Sequence, residues 1–450
     1  MEKSIKYTES SNPPSGGKGA FYPWLVVALL WVVALLNYMD RQMLSTMKPT
    51  MEVDIHELQS ATNFGYLMAV FLWIYGFMSP VSGIIADRLN RKWLIVGSLF
   101  VWSGVTFAMG YAQTFHQLYW LRAIMGVSEA LYIPAALSLI ADYHSDKTRS
   151  LAIGIHMTGL YVGQAIGGFG ATMAATFSWQ QTFHSFGLVG IAYSIVLMLF
   201  LREKRNEVVS DPGKAESKKV PLLKGLAVLF TNVSFWVILF YFAIPSLPGW
   251  GVKNWLPTLF AENLHIDMAK AGPMSTITIA ASSFLGVIFG GILSDKWVQK
   301  NLRGRIYTSA IGLALTIPAL ILIGFGHSIF NVVGAAFCFG FGYGMFDANN
   351  MPILCQFVSS KYRATAYGLM NMVGVFAGAF VTDLLGKSTD AGNLGKSFAM
   401  MGGVVVVALI IQLSILRPKA NDFDHAYKLF YDIISIDIFQ CCSFYFNEQF

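Results

Sequence analysis

Leu118-Tyr-Trp-Leu-Arg122-Ala-Ile-Met-Gly126-Val-Ser-Glu129-Ala-Leu-Tyr-Ile-Pro134 lies inside an apolar run long enough to cross a bilayer, yet it carries an arginine and a glutamate. A charged side chain at mid-membrane costs roughly 2.5–3.5 kcal/mol on insertion scales. Arg122 and Glu129 are seven residues apart. On a helix that is two turns, so they share one face, about 10 Å apart along the axis. A second charged pair, Asp40-Arg41, interrupts the first apolar run. Ionisable groups in lipid need partners, and they mark pathways for ions, protons or substrates.

The rest of the chain supports a membrane reading. Its 450 residues are 55% hydrophobic and 12% charged, against about 25% charged in soluble proteins. The bilayer, not the soluble-domain rule, therefore sets the element lengths. The formal charge of +6 is not a nucleic-acid footprint, because the basic residues fall in short loops between apolar runs. Cys338, Cys355, Cys441 and Cys442 show no disulfide or metal spacing, so neither a metal nor a cofactor is expected. The polar start, residues 1–20, has the composition of a disordered cytoplasmic segment rather than a cleavable signal.

Apolar runs of spanning length recur twelve times, near 21–47, 62–86, 92–112, 116–142, 149–175, 183–202, 230–258, 274–297, 305–326, 328–357, 364–387 and 395–416. The expected fold is all-α and integral to the membrane, with twelve transmembrane helices in two six-helix halves. Residues 21–202 form the first bundle, 203–229 a cytoplasmic linker, 230–416 the second bundle and 417–450 a cytoplasmic tail. Placing both termini inside gathers most of the Lys and Arg on the inner side, as the positive-inside rule requires. Glycines within the runs, such as Gly163, Gly167, Gly168 and Gly170, allow close helix packing. Long continuous runs exclude a β-barrel.

The halves repeat. Gly83-Ile-Ile-Ala-Asp87-Arg88-Leu-Asn-Arg91-Lys92 follows the second span, and Gly291-Ile-Leu-Ser-Asp295-Lys296-Trp-Val-Gln-Lys300 follows the eighth. Lys147-Thr-Arg149 opens the fifth span and Lys361-Tyr-Arg363 the eleventh. Such parallel repeats build transporters that rock one half against the other around a midplane site. The G-x-x-x-D-R-x-x-R-K loop resembles the signature of the major facilitator superfamily. Asn37-Tyr38-Met-Asp40-Arg41, Arg122-x3-Gly126-x2-Glu129-Ala130 and Trp255-Leu-Pro257-Thr resemble its organic anion:proton symporter branch, which includes sialin, hexuronate and galactonate transporters. Gly-Val-Ser-Glu129-Ala-Leu-Tyr and Ile-Ala-Asp142-Tyr are also similar to Spinster-type lysolipid and sphingolipid transporters.

Low dielectric favours the neutral form of a carboxyl group unless a cation is close, whereas an arginine stays charged. A glutamate that alternates between protonated and arginine-paired is a proton switch. An arginine that alternates between that glutamate and a substrate carboxylate couples the switch to an anion. The competing reading is a structural ion pair, Asp40–Arg122 or Arg41–Glu129, that locks helices together. The symporter resemblance implies Asp40 and Glu129 as proton sites, with Arg122 coupling them to a carboxylate that Arg41 and Arg122 bind.

In the second half no counterpart of Asp40-Arg41 or Arg122…Glu129 is evident. The stretches around Trp250, Trp255, Phe337 and Phe341 carry aromatics, glycines and amides. Asn349, Asn350 and Asn371 are the candidates for substrate hydroxyls, with interhelical hydrogen bonding as the alternative. By the resemblance, Asn371 falls at a binding asparagine, and Tyr38 and Tyr75 match binding tyrosines or pack. Leu160 occupies the branch's glutamine position, with Gln164 nearby.

Asp87, Arg88, Arg91 and Asp295 are expected to gate, through an acid facing the next helix's N-terminus beside Arg88 or Lys296. Asp347 and Asp383 are helix-end or cavity residues, undecided between the two. His156 reads as a packed or solvated residue. The leading reading is a secondary transporter: proton-coupled symport of a small organic anion, a sugar acid such as a hexuronate, aldonate or sialic acid. The alternative is a Spinster-type lipid transporter. An enzyme is excluded by the absence of a nucleophile–base constellation, H-E-x-x-H or P-loop. The expected partners are the anion, protons and the bilayer, with no nucleic acid, for a monomer in a bacterial inner membrane.

Overall fold

A computed structural model describes residues 21–145, 148–204, 229–231, 233–358 and 363–418. The expected N-terminal segment, most of the 203–229 linker and nearly all of the tail lie outside them. The helices are α1 (Phe21–Met51), α2 (Ala61–Arg88), α3 (Arg91–Met109), α4 (Phe115–Ala130), α5 (Tyr132–Tyr143), α6 (Arg149–Gly167), α7 (Gly170–Thr176) and α8 (Trp179–Phe200) in the first half. The second half holds α9 (Val233–Leu264), α10 (Met268–Val298), α11 (Gly304–Phe325), α12 (Ile329–Asp347), α13 (Asn350–Phe357), α14 (Arg363–Asp390) and α15 (Leu394–Ile415). Among the described residues eleven stretches are long and apolar enough to span a membrane, and α6 is a shorter apolar helix. A helix is what such a run must form in lipid, where every backbone N–H and C=O needs an internal partner.

Local sequence sets the helix ends. Thr114 and Gln117 form a capping box at the start of α4, and Ser60, Asn90 and Ser328 cap α2, α3 and α12. Three spans are broken. The fourth divides into α4 and α5 at Leu131, the fifth into α6 and α7 at Gly168-Phe169, and the tenth into α12 and α13 at Ala348-Asn349. Pro134 and Pro352 explain two of these breaks. Each lacks an N–H and crowds the carbonyl four residues back, on Ala130 and Ala348.

Spans one to six pack among themselves, as do spans seven to twelve, and the sets meet along α2–α14, α6–α10 and α1–α9. The far end is the one opposite Phe21 and Ile415. Among the described residues, hydrogen bonds joining the halves run from the near side of mid-depth (Asn371 to Ser79, 3.2 Å) to that far end. There Thr172 donates to the Ala269 carbonyl at 2.8 Å and Thr276 to that of Ala165 at 3.2 Å. The carboxylate of Asp390 accepts from Ser60 Oγ at 2.8 Å and from the backbone N–H groups of Ala61 and Thr62 at 2.7 and 2.9 Å. One half thus caps the first turn of a helix in the other with a negative charge placed against its positive dipole end. Gly168 and Gly272 let α6 and α10 approach so closely that a Cβ on either would meet the other's carbonyl.

Candidate functional site

The four charges found in the sequence converge between spans one and four. Glu129 is fully buried and accepts from Arg41 Nε at 2.6 Å and Asn37 Nδ2 at 2.9 Å. Of the two structural pairings considered, the structure forms Arg41–Glu129. Asp40, also buried, accepts instead from the Thr106 hydroxyl at 3.3 Å. One turn of α1 therefore aims Asp40 at span three and Arg41 at span four.

Arg122 is 3% exposed, and among the described residues no carboxylate lies within ion-pair distance of it. Its guanidinium contacts Met125 Sδ at 3.1 Å and stands 4.5 Å from the centroid of the Phe71 ring, and its Nε has no partner. The other face of the same cluster belongs to Arg41, which sits 4.7–5.2 Å from the rings of Tyr75, Phe71 and Tyr38. Tyr38 and Tyr75, expected near substrate, are thus the walls around Arg41. Glu129 Oε1 and Arg41 Nη2 lack protein partners. The cluster holds an ion pair with spare hydrogen-bonding capacity beside a buried cation that Glu129 and Asp40 face across the cluster without ion-pair contact.

The second half differs from expectation. Asn349 is fully buried, and its amide donates to the Met345 carbonyl of its own helix at 2.8 Å. Asn350 is buried between Tyr241 and Asp347, at 3.3 and 3.1 Å. Asn371 is half-buried, in the bond to Ser79 that links the halves. Trp255 is no stacking surface: it is fully buried, and its indole N–H donates to the Thr382 carbonyl at 3.0 Å. Phe341 packs on Phe289.

One expectation needs correction. Gly344-Met-Phe-Asp347-Ala348-Asn-Asn-Met-Pro352 reproduces the spacing Gly126-x-x-Glu129-Ala130-x-x-x-Pro134, so Glu129 does have a counterpart in the second half. Arg122 has none, since Gly340 stands at that register. Asp347 is exposed and lies within electrostatic range of Tyr161 of the first half and of Tyr343, Tyr367 and Lys253 of the second. Lys253 was not anticipated at all. Its ammonium stands 5.0 Å from the Trp250 ring and 5.9 Å from the Tyr38 ring.

Of the expected gating residues, Arg91 pairs with Asp142, and Asp295 pairs with Arg305 at 3.4 Å rather than with Lys296. The side chains of Asp87 and Arg88 lie outside those described. Asp383 pairs with Lys387 at 2.9 Å and lines a cavity of about 350 Å³ with Tyr66, Trp73, Phe115 and Tyr119, away from the charge cluster. His156 is fully buried beside Tyr132, as a packed residue.

A family model described as Major Facilitator Superfamily matches residues 30–382. The chain belongs to the major facilitator superfamily. It is therefore a multi-pass membrane transporter and not an enzyme. It is 26% identical over 414 residues to a hexuronate transporter of Bacillus subtilis, covering 87% of this chain and 94% of that one. It is 23% identical over 433 residues to a probable galactarate/D-glucarate transporter of Escherichia coli K12, covering 89% and 96%. Among solved structures, a bacterial homologue of the lysosomal transporter Spinster, in an inward-facing and unoccupied conformation, superposes with a TM-score of 0.75 at 20% identity, over 89% of this chain and 97% of that one. That last likeness is one of fold.

Proposed function

We propose that this transporter is a proton-coupled symporter of a small organic anion of the sugar-acid class, working in a bacterial inner membrane with both termini cytoplasmic. In that orientation the far end faces outward, and the described conformation is sealed outside. The observation that carries the reading is Arg122. A desolvated cation with no carboxylate in ion-pair contact is costly, and with Glu129 engaged by Arg41 a substrate carboxylate is the group that would complete it. Relatives named for hexuronate and for galactarate/D-glucarate support that chemistry.

Glu129 supplies the coupling. While it is ionised it holds Arg41 and Asn37. Protonation weakens that pair and frees Arg41 to join Arg122 on an arriving carboxylate. One proton and one anion then enter together, the cluster keeps its net charge, and the cost of leaving a buried charge unpaired is avoided in each state. Asp40, held by Thr106, is a second proton site beside the first.

The test is uptake of labelled glucuronate, galactonate and sialic acid into proteoliposomes with and without an inward proton gradient. Acidifying the outside raises accumulation of one acid in the wild type. Glu129→Gln, fixed in the neutral form, loses gradient-driven accumulation while retaining exchange. Full gradient-driven accumulation by Glu129→Gln removes the proton from Glu129. No uptake of any acid, together with lysolipid binding, replaces this reading with a Spinster-type lipid transporter.

A further inference from the structure

We infer that Lys253 and Asp347 form a distal subsite opposite Arg41 and Arg122, and that the preferred substrate is a polyhydroxy acid with a carboxylate at each end. The inference rests on the sugar-acid reading above and narrows it.

Lys253 is a half-buried cation within span seven, and among the described residues no carboxylate lies within ion-pair distance of it. An ammonium at that depth is retained only with a purpose or a partner. Its position is fixed by its own backbone, since the Lys253 carbonyl accepts from Gln42 Nε2 of span one at 3.0 Å. Its charge faces the ring of Tyr38, whose centroid is 5.9 Å from the ammonium and 5.2 Å from the Arg41 guanidinium. The two cations thus share one aromatic wall and can be no farther apart than those two distances end to end. A six-carbon chain with a carboxylate at each end spans such a gap, one end on the arginines and the other on Lys253. A monoacid leaves Lys253 with no carboxylate in ion-pair contact and only the longer-range charge of Asp347 to answer it.

Asp347 supplies the complementary polarity. It sits at the break of span ten, as Glu129 sits beside the break of span four, in the same Gly-x-x-acid-Ala-x-x-x-Pro frame. It accepts one hydrogen bond, from Asn350 Nδ2 at 3.1 Å, is otherwise exposed, and lies within electrostatic range of Tyr161, Tyr343 and Tyr367. Lys253 is the opposite charge that acts on it. A carboxylate with open acceptor sites suits the hydroxyls next to the substrate's distal carboxylate. Anion and hydroxyl recognition then lie side by side, as they do in an aldarate. A hexuronate or an aldonate offers the hydroxyls without the second charge.

The experiment measures equilibrium binding of glucarate, galactarate, glucuronate and galactonate to the purified full chain, for wild type, Lys253→Met, Lys253→Arg and Asp347→Asn. The wild type is expected to favour diacids at least tenfold. Lys253→Met brings the diacids down to the monoacid affinity and leaves the monoacids within twofold. Lys253→Arg keeps the diacid preference, which shows that the Met variant failed through charge and not through folding. Asp347→Asn weakens all four acids severalfold, because hydroxyls are common to them. Equal wild-type affinity for diacids and monoacids overturns the inference and leaves the sugar-acid reading standing. So does a Lys253→Met variant that weakens both classes alike, as loss of a structural lock would. Binding of none of the four acids overturns both.

Discussion

Spans four and ten occupy matching places in the two halves and share a sequence frame, a proline and a broken helix, yet they handle charge in opposite ways. In span four the acid, Glu129, is fully buried and bound to Arg41 at 2.6 Å, with Arg122 two turns away in the same helix. In span ten the acid, Asp347, is exposed, its cation Lys253 stands off, and Gly340 occupies the register of Arg122. Packing explains the glycine. A Cβ at Gly340 would collide with Ser282 Oγ, and Gly344 and Gly290 form the same tight seam between α10 and α12. The second half uses that face of span ten to hold span eight, and no arginine fits there. Duplicated helices therefore kept the acid and the break and diverged where one half needed a charge and the other needed close packing.

The sharpest way to break this comparison is to remove each arginine of the first half separately. Arg41→Gln leaves Glu129 buried without its ion-pair partner, a loss worth about 3–5 kcal/mol of stability. Arg122→Gln removes a cation that no carboxylate contacts, Glu129 and Asp40 acting on it only at longer range, so the unliganded protein should unfold near the wild-type temperature. Anion binding should behave differently. Truncating Arg122 costs about 2–5 kcal/mol of binding, read as a rise in Kd of about thirtyfold or more. Thermal unfolding with and without the transported acid checks both. A destabilised Arg122→Gln protein would mean that Arg122 has a structural partner, and the case for an anion there would fall.

The first-half cluster was legible because charges are rare in apolar runs and are informative wherever they occur. Asp40, Arg41, Arg122 and Glu129 could be singled out from spacing alone, as could the positions of all twelve spans. Their pairing could not. Neighbours in sequence, Asp40 and Arg41 point to different spans, and only the relative rotation of three helices decides which meets Glu129. Lys253 was hidden in a span read for its aromatics and prolines. Asp347 stands out in the sequence as an acid within a span, but not as the counterpart of Glu129, because the arginine that accompanies Glu129 is Gly340 at the matching register. The amides misled for another reason. An amide inside a membrane span reads the same whether it faces a substrate or, as Asn349 does, bonds a carbonyl of its own helix in the packed interior. Asp390 lies past the end that hydropathy gave to span eleven, and nothing local marks it as a cap for a helix some 300 residues earlier.

Asp390 offers a smaller effect that tests the seal rather than the cluster. Asp390→Asn keeps an acceptor for the N-terminus of α2 but removes the charge facing the helix dipole. The site is solvent-exposed, so the expected cost is about 1 kcal/mol after screening. That is roughly a fivefold shift of population away from the state closed at the far end. Spin labels at Glu57 and Ala391, in a background with the four cysteines replaced, would report a longer distance in the variant. An unchanged distance distribution would mean that the bonds around Gly168 and Thr276 hold the far end without help from Asp390.

Asn349 should show the least effect on transport, although the sequence placed it among the binding residues. Its amide donates within its own helix, and its side chain is fully buried. Asn349→Ala removes one hydrogen bond of the kind worth about 0.6 kcal/mol on average inside membranes, so KM should stay within twofold while thermal stability falls slightly. Asp347→Asn, two residues earlier in the same break, should change binding severalfold with little effect on stability. If Asn349→Ala instead raised KM tenfold, span ten would have to turn during the cycle and present Asn349 to the substrate, and the division between a packed and an open face would hold for this conformation alone.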